Sequence, residues 1–349
     1  VVVRSPVIGE THPWVVRLRE RGIAITGGTA LWMAEHAAAT IGVTGSKGKS
    51  TTTTLIAHLL TAVDRPNTVG GNIGIPVLDL PAAELYVLEL SMYQCADLVD
   101  SPRVAALTSL VPEHLDWAGG EEAYYRHKLN LVGHGPRSVV FNAHDARLSA
   151  ELADRPGLPL APAGLPDGFH LAPGPDGTPW VHLADQPLFP RAALPLVGRH
   201  NGWNLCVALG ALRAVGVDCV AERDRLAAAA ATVPMLEHRL TPIADPSGIT
   251  FVDDSLSTIP QSAVHAIEAY ADRPLTVIVG GEDRGVDYAP LRDFLAERAI
   301  VATLIGIPDS GSRILAEVAD LPTITSFSIR AEKNADCAFE AWLSSIDPM

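Results

Sequence analysis

Short apolar runs separated by stretches of helical periodicity dominate the chain from Ala38 onward. ATIGVTG precedes STTTTLIAHLLTAV, and ELYVLEL, VAALTSL and SVVFNA follow, each trailed by polar or helical sequence. Apolar strands alternating with helices predict a mostly parallel sheet with helices on its faces. From 151 to 195 Pro and Gly recur throughout (PGLPLAPAGLPDGFHLAPGPDGTPW), predicting loops around short antiparallel strands such as WVHLAD. RHNGWNLCVALGALRAVGV then predicts a long helix with Ala and Leu on its buried face. Near Leu236 a second α/β unit begins, with strands at ITFVDD, LTVIVGG and VATLIGI and helices such as PQSAVHAIEAYA. Residues 1–37 hold only a strand (VVV), an amphipathic helix and the segment IAITGG. The expected architecture is α/β: a remnant over 1–37, a central domain over 38–235 with a mostly parallel sheet, and a Rossmann-like C-terminal domain over 236–349.

A length of 349 residues agrees with two to three domains. The formal net charge of −14 disfavours a nucleic-acid surface, since the chain shows no run of Lys and Arg. An anionic ligand would need a local basic pocket. Cys95, Cys206, Cys219 and Cys337 match neither zinc-site nor disulfide spacing, which suggests reduced core thiols and a cytosolic protein. No apolar run reaches the roughly 18 residues that span a bilayer, so membrane insertion is not expected. Val1 opens inside a strand without Met, so preceding sequence is expected to be missing, or the chain to be a shortened version.

Between an apolar strand and a helix lies Gly42-Val43-Thr44-Gly45-Ser46-Lys47-Gly48-Lys49-Ser50-Thr51. A glycine-rich turn in that position presents backbone N–H groups to phosphates. Lys49 would then reach the β and γ phosphates of ATP, and the Ser50 or Thr51 hydroxyl would ligate Mg²⁺. The strict G-x-x-x-x-G-K-[ST] spacing fails, because Val43 stands five before Gly48. A glycine-rich turn with an exposed lysine is the bland alternative.

This run resembles the loop shared by Mur ligases and folylpolyglutamate synthases, G-x-T-G-x-x-G-K. Further matches follow in family order. Gly71-Asn72-Ile73-Gly74 resembles G-N-I-G, Glu89-Leu90-Ser91-Met92-Tyr93-Gln94 resembles E-x-S-x-[FY]-Q, and Glu113-His114-Leu115-Asp116 resembles [DE]-H-L-D. Lys128 sits where the family carries an active-site lysine that is often carbamylated. Gly198-Arg199-His200-Asn201-Gly202-Trp203-Asn204 resembles G-x-H-N-x-x-N, and His238-Arg239 resembles the H-R opening the third domain.

The resemblance to Mur ligases implies an ATP-dependent amide ligase in a peptidoglycan pathway. It assigns Gly45, Ser46, Lys47, Gly48, Lys49, Ser50 and Thr51 to the nucleotide, with Asn201, Asn204, Arg239 and Asp254. Glu89 and His114 fall to Mg²⁺ with Ser50 and a carbamylated Lys128, and Asn72 to the γ phosphate or the acyl phosphate. Lys49, Asn72, Glu89, His114 and Lys128 make up the catalytic set, while Asn72, Ser91, Thr258 and Arg284 fall to the substrates. Read alone, Glu89 is as well a helix cap, His114 a loop histidine and Lys128 a surface charge. Residues 1–37 would be what remains of a UDP-substrate-binding domain, and the C-terminal domain is read as truncated.

In the third domain, Asp253-Asp254-Ser255-Leu256-Ser257-Thr258 and Gly280-Gly281-Glu282-Asp283-Arg284-Gly285 resemble the glutamate-adding branch. The usual D-glutamate enzymes carry lysine where Leu256 and Arg284 stand. The pattern is closer to the branch adding L-glutamate to UDP-N-acetylmuramoyl-L-alanine, after which an epimerase would act. D-glutamate addition, a shortened ligase with another acceptor, a folylpolyglutamate-type ligase and a noncatalytic nucleotide-binding relative are the alternatives.

Overall fold

In the computed structural model, residues 1–328 are described except His114 and Arg284. The chain divides into two compact units, Val1–Leu236 and Glu237–Met349.

The first unit opens with β1 (Val2–Arg4), α1 (Pro13–Glu20), β2 (Ile25–Gly27) and α2 (Gly28–His36), β1 and β2 pairing in parallel. Next come β3 (Thr40–Thr44), α3 (Lys49–Ala62), β4 (Thr68–Gly71), β5 (Tyr86–Glu89), α4 (Met92–Cys95) and β6 (Val104–Leu107). Helices α5 (Leu115–Ala118) and α6 (Glu121–Leu129) lead into β7 (Ser138–Asn142), α7 (Ala146–Ala153) and β8 (Leu160–Ala163). Strands β4-β5-β3-β6-β7-β8 form one parallel sheet. Beyond it lie an antiparallel meander, β9 (Phe169–Pro173), β10 (Pro179–Leu183) and β11 (Gln186–Pro190), and then α8 (Arg199–Ala214) and α9 (Arg223–Ala231).

Alternation along the buried strands builds a core on each face of the sheet. Ile41, Val43 and Val87 point to Leu55, Leu59 and Leu60 of α3 and Leu205, Leu209 and Leu212 of α8. Leu88 faces the other way, toward Met33, Leu90, Tyr124, Leu129 and Leu131. Gly42 lies so close beneath Pro102 that a Cβ there would come within 2.9 Å of its ring. One expectation needs correction: β8, in the Pro- and Gly-rich stretch, is a parallel strand of the main sheet, registered Val139 to Leu160.

Strand order reverses at β3, which has β5 on one side and β6 on the other. Ligands of open α/β sheets collect at the carboxyl edge beside such a reversal. The Gly45–Gly48 loop, the segments after β4, β5 and β6 and the residues they carry leave that edge.

Arg4 anchors the N-terminal segment to this unit. Its guanidinium donates to both Asp97 carboxylate oxygens (2.9 and 2.6 Å) and to the Ile8 carbonyl at 2.6 Å, beneath the Trp117 ring. Only 3% of the Arg4 side chain and 10% of Asp97 are exposed. Removing one partner leaves a buried charge unpaired, so Arg4→Ala is expected to destabilise this unit by about 3 kcal/mol. Urea unfolding followed by tryptophan fluorescence would show a lower midpoint; an unchanged midpoint would contradict the anchor.

The second unit holds β12 (Thr241–Ile243), β13 (Phe251–Asp253), α10 (Pro260–Tyr270), β14 (Leu275–Gly280), α11 (Ala289–Glu297), β15 (Ala302–Ile307), α12 (Gly311–Glu317) and β16 (Ile324–Ser328). β14, β15 and β16 run parallel in sequence order, giving a Rossmann-like half. ITFVDD does not extend that sheet: it forms β13 of an antiparallel pair with β12. The intervening Asp245-Pro246-Ser247-Gly248 folds back, with Asp245 Oδ1 accepting the Ser247 N–H at 2.8 Å.

Candidate active site

The loop from Gly45 to Gly48 joins β3 to α3. Gly48 has φ +85°, and a Cβ there would sit 2.6 Å from Asn204 Oδ1; Gly45 has φ +151°, and its Cβ would collide with the Thr108 hydroxyl. Only glycine fits such backbone under such close packing. The loop is laced to the segment after β6. Ser46 N–H donates to the Ser109 carbonyl and Lys47 N–H to the Ser109 hydroxyl, each at 2.9 Å, and the Thr108 hydroxyl donates to the Lys47 carbonyl at 2.5 Å. Two of the loop's N–H groups are therefore engaged within the protein, while helix α3 begins at Lys49.

Three lysines gather around this loop of an acidic chain. Lys49 Nζ donates to the Ser46 carbonyl at 2.9 Å, and Lys47 Nζ pairs with Glu113 at 2.7 Å. Lys128 Nζ donates to the Gly45 carbonyl at 2.8 Å and lies 5.1 Å from the Tyr124 ring centroid. Lys128 is 3% exposed, so it is no surface charge. Burial, reinforced by the Lys49 charge, pushes its amine down to about 7. Ser50 is buried in the first turn of α3, with Thr51 beside it in sequence.

Glu89 ends β5 in register with Val43 of β3, and it is 2% exposed. Asn72 donates its side-chain amide to Glu89 Oε1 at 2.8 Å. The other oxygen, Oε2, is buried and makes no hydrogen bond among the described residues. A buried carboxylate oxygen without a donor is costly unless a cation or proton completes it. Ser91 spends its hydroxyl capping α4, accepting from the Gln94 N–H at 3.3 Å and donating to Gln94 Oε1 at 2.9 Å. At the start of α8, Asn204 donates to Asn201 Oδ1 at 3.1 Å, and Asn201 donates to the Val197 carbonyl at 2.7 Å. Both amides share one helix face, as the three-residue spacing predicts.

In the second unit, Asp254 accepts from the Leu240 N–H at 3.1 Å and from the Ser257 hydroxyl. The half-buried Arg239 follows His238, whose ring pairs with Asp253 at 2.6 Å, and Thr258 is half-buried before α10. His114 and Arg284 lie outside the described residues. Cys95, Cys206 and Cys219 are buried free thiols, and Cys337 also lies outside that range.

Among the described residues no three His, Cys, Asp or Glu side chains gather as a ready metal cage. A buried Glu89 oxygen without a hydrogen-bond partner and the Ser50 hydroxyl are donors that could hold Mg²⁺ once phosphates and waters complete its shell. Among them, too, no helix is long and apolar enough to cross a membrane.

Sequence reasoning assigned no role to the ties that shape the loop: Ser46 to Val111 and Tyr124, Lys47 to Glu113, and Thr108 and Ser109 to the loop backbone. Tyr124 had a signal, standing four residues before Lys128 on one helix face. Thr108 and Ser109 had none, because their contacts arise from strand order.

Comparison with known proteins decides what this loop belongs to. A family model described as the Mur ligase middle domain matches residues 43–212. A curated relative from Micromonospora sp., named UDP-N-acetylmuramoyl-L-alanine--L-glutamate ligase, is 67% identical over 324 residues, covering 93% of this chain and 71% of its own length. The chain belongs to the Mur ligase family. Members of this family are ATP-dependent enzymes that form amide bonds, and the likeness extends over both units of this Mur ligase. Among solved structures, MurF from Acinetobacter baumannii superposes with a TM-score of 0.66 at 18% identity over 91% of this chain and 74% of its own. MurF ligase from Thermotoga maritima, solved in complex with ADP, gives 0.61 at 16% identity, covering 91% and 76%. At such identities these two likenesses establish the fold alone.

Proposed function

We propose that this Mur ligase joins L-glutamate to the free carboxylate of UDP-N-acetylmuramoyl-L-alanine, consuming ATP and using Mg²⁺. The observation that carries the reading is the arrangement around the Gly45–Gly48 loop: three lysines, and a buried Glu89 with one oxygen uncommitted. The relative at 67% identity supports the choice of substrates.

A carboxylate resists attack by an amine until one oxygen becomes a leaving group. ATP, as a substrate, transfers its γ-phosphoryl group to an acceptor carboxylate oxygen and leaves as ADP. The glutamate amine attacks the carbonyl carbon, phosphate departs with the C–O bonding pair, and the amine's proton passes to solvent. The protein's share is positioning and charge neutralisation. Lys49 leads α3 toward the phosphates, where its charge and the helix N-terminus favour anions. Ser50, Glu89, His114 and a carbamylated Lys128 would hold Mg²⁺, which when bound draws charge from the phosphate oxygens. Asn72 orients Glu89 through the 2.8 Å bond. Burial lowers the Lys128 amine to about 7, so that near pH 7 a substantial share of it is neutral, as carbamylation requires: nitrogen bonds to the carbon of CO₂, and one N–H proton is released. The carbamate retains an N–H for the Gly45 carbonyl.

Resemblance assigns Asn201, Asn204, Arg239 and Asp254 to the nucleotide, and Asn72, Ser91, Thr258 and Arg284 to the substrates. Residues 1–37, 38–235 and 236–349 take the acceptor, nucleotide and amino-acid roles in turn. Leu256, 49% exposed, puts an apolar group where D-glutamate enzymes carry lysine, which favours L-glutamate. An epimerase then acts later on the product. Use of ATP and a UDP-linked precursor places the reaction in the cytoplasm.

ADP release from purified protein tests the reading. Release is expected only when ATP, the UDP-linked acceptor and L-glutamate are all present; equal release without glutamate would overturn it.

A further inference from the structure

Tyr124 has no part in the chemistry above, yet it touches two of its components. Its side chain is 1% exposed. Ser46 Oγ donates its one proton to the Val111 carbonyl at 2.6 Å and accepts from the Val111 N–H at 2.8 Å. The Tyr124 hydroxyl stands 2.7 Å from the same Oγ. A hydroxyl has one proton and two lone pairs, so with its proton committed to Val111, Ser46 accepts from Tyr124. Burial raises the phenol far above its usual range, so that proton stays in place at neutral pH. The face of the same ring carries the Lys128 amine at 5.1 Å, and that amine donates to Gly45, next to Ser46 in the chain.

These contacts make a closed circuit of Tyr124 hydroxyl, Ser46, Gly45 carbonyl, Lys128 amine and Tyr124 ring. Val111, the other partner of the Ser46 hydroxyl, lies in the segment leading to Glu113 and its ion pair with Lys47. We propose that Tyr124 is a positioning residue for the ligase reaction, setting the phosphate loop through Ser46 and holding Lys128 in register with that loop through its ring. The proposal rests on the reading that Gly45–Thr51 binds the nucleotide phosphates. A tyrosine that merely filled the core would affect stability; a positioning tyrosine affects nucleotide affinity through Ser46.

The test measures ADP binding by calorimetry on the whole chain, with steady-state kinetics and melting temperature alongside. Wild-type protein is expected to bind ADP; if it does not, the nucleotide reading falls and the proposal with it. Tyr124→Phe keeps the ring and removes the hydroxyl, so ADP affinity should fall about tenfold, the scale of one buried hydrogen bond. KM for ATP should rise in parallel while kcat falls by a smaller factor. Ser46→Ala should cost less in the Tyr124→Phe background than alone, because the two groups act through one bond. Wild-type ADP affinity in Tyr124→Phe would overturn the proposal while leaving the nucleotide reading intact, whether or not the melting temperature drops. Fully additive losses in the double variant would overturn it as well. Should Tyr124→Phe fail to fold, Ser46→Ala removes the same bond together with the two to Val111: ADP binding weaker by about tenfold or more is expected, and unchanged binding overturns the proposal.

Discussion

Lys128→Met is expected to melt at a higher temperature than the wild type while losing about three orders of magnitude in kcat. Methionine, unbranched and one heavy atom shorter than lysine, fills most of the same space without an ionisable end. In protein kept free of CO₂, and so uncarbamylated, the wild-type amine is fully buried and its pKa falls from 10.5 to about 7. In the unfolded chain it titrates near its ordinary value. Between those two values the unfolded state binds a proton that the folded state does not, so stability rises with pH across roughly 7 to 10.5. Below about 7 both states are protonated and the folded protein bears the whole penalty of a buried charge, several kcal/mol on this scale. The variant bears none of it, at the smaller cost of leaving the Gly45 carbonyl without its donor. Its advantage in melting temperature should therefore be larger at pH 6 than at pH 9. Calorimetric scans at the two pH values check this; a variant that melts lower at both would show that the amine is not a destabilising group.

Lys49→Ala should abolish measurable turnover, with a loss of about a thousandfold or more, and weaken ATP binding. The ammonium starts α3 and is held by the Ser46 carbonyl, within the loop it would complete on binding phosphate. No other group on α3 offers a positive charge there: Ser50, Thr51, Thr52 and Thr53 follow. Arginine at this position keeps the charge but not the compact ammonium, so Lys49→Arg should rescue affinity more than rate. Initial rates over a range of ATP concentrations separate the two effects. Turnover in Lys49→Ala within tenfold of wild type would remove the lysine from the chemistry.

Much of the frame was legible because buried parallel strands leave a plain signature. ATIGVTG, ELYVLEL, VAALTSL and SVVFNA became β3, β5, β6 and β7, since strands covered on both faces must be apolar along their length. The loop glycines were legible because Gly45 and Gly48 take backbone conformations that side chains resist. Strand β8 was misread for an equally physical reason: LAPA carries two alanines and a proline, too little apolar weight to separate a parallel edge strand from a hairpin arm. ITFVDD read as a sheet strand because its composition is the same whether its partner is β14 or β12; the turn at Asp245–Gly248 made the choice.

In the site, motif order brought forward Lys49, Asn72, Glu89 and Lys128, and the structure places the last three around the sheet edge that bears the loop. What stayed hidden were contacts between segments far apart in sequence, such as Thr108 on Lys47 and Tyr124 on Ser46. A hydroxyl's partners are a property of topology, and no local pattern carries them. Ser91 was read as a substrate residue from its motif, while its hydroxyl caps α4; the capping-box spacing from Ser91 to Gln94 was itself present in the sequence.

The most direct measurement of the central claim is a single reaction containing ATP, Mg²⁺, UDP-N-acetylmuramoyl-L-alanine and racemic glutamate, followed by hydrolysis of the product and chiral analysis of the glutamate it took up. Incorporation of the L form alone, with one ADP released for each amide formed, is the predicted result. Incorporation of D-glutamate, or ADP release with no amide formed, would contradict the account.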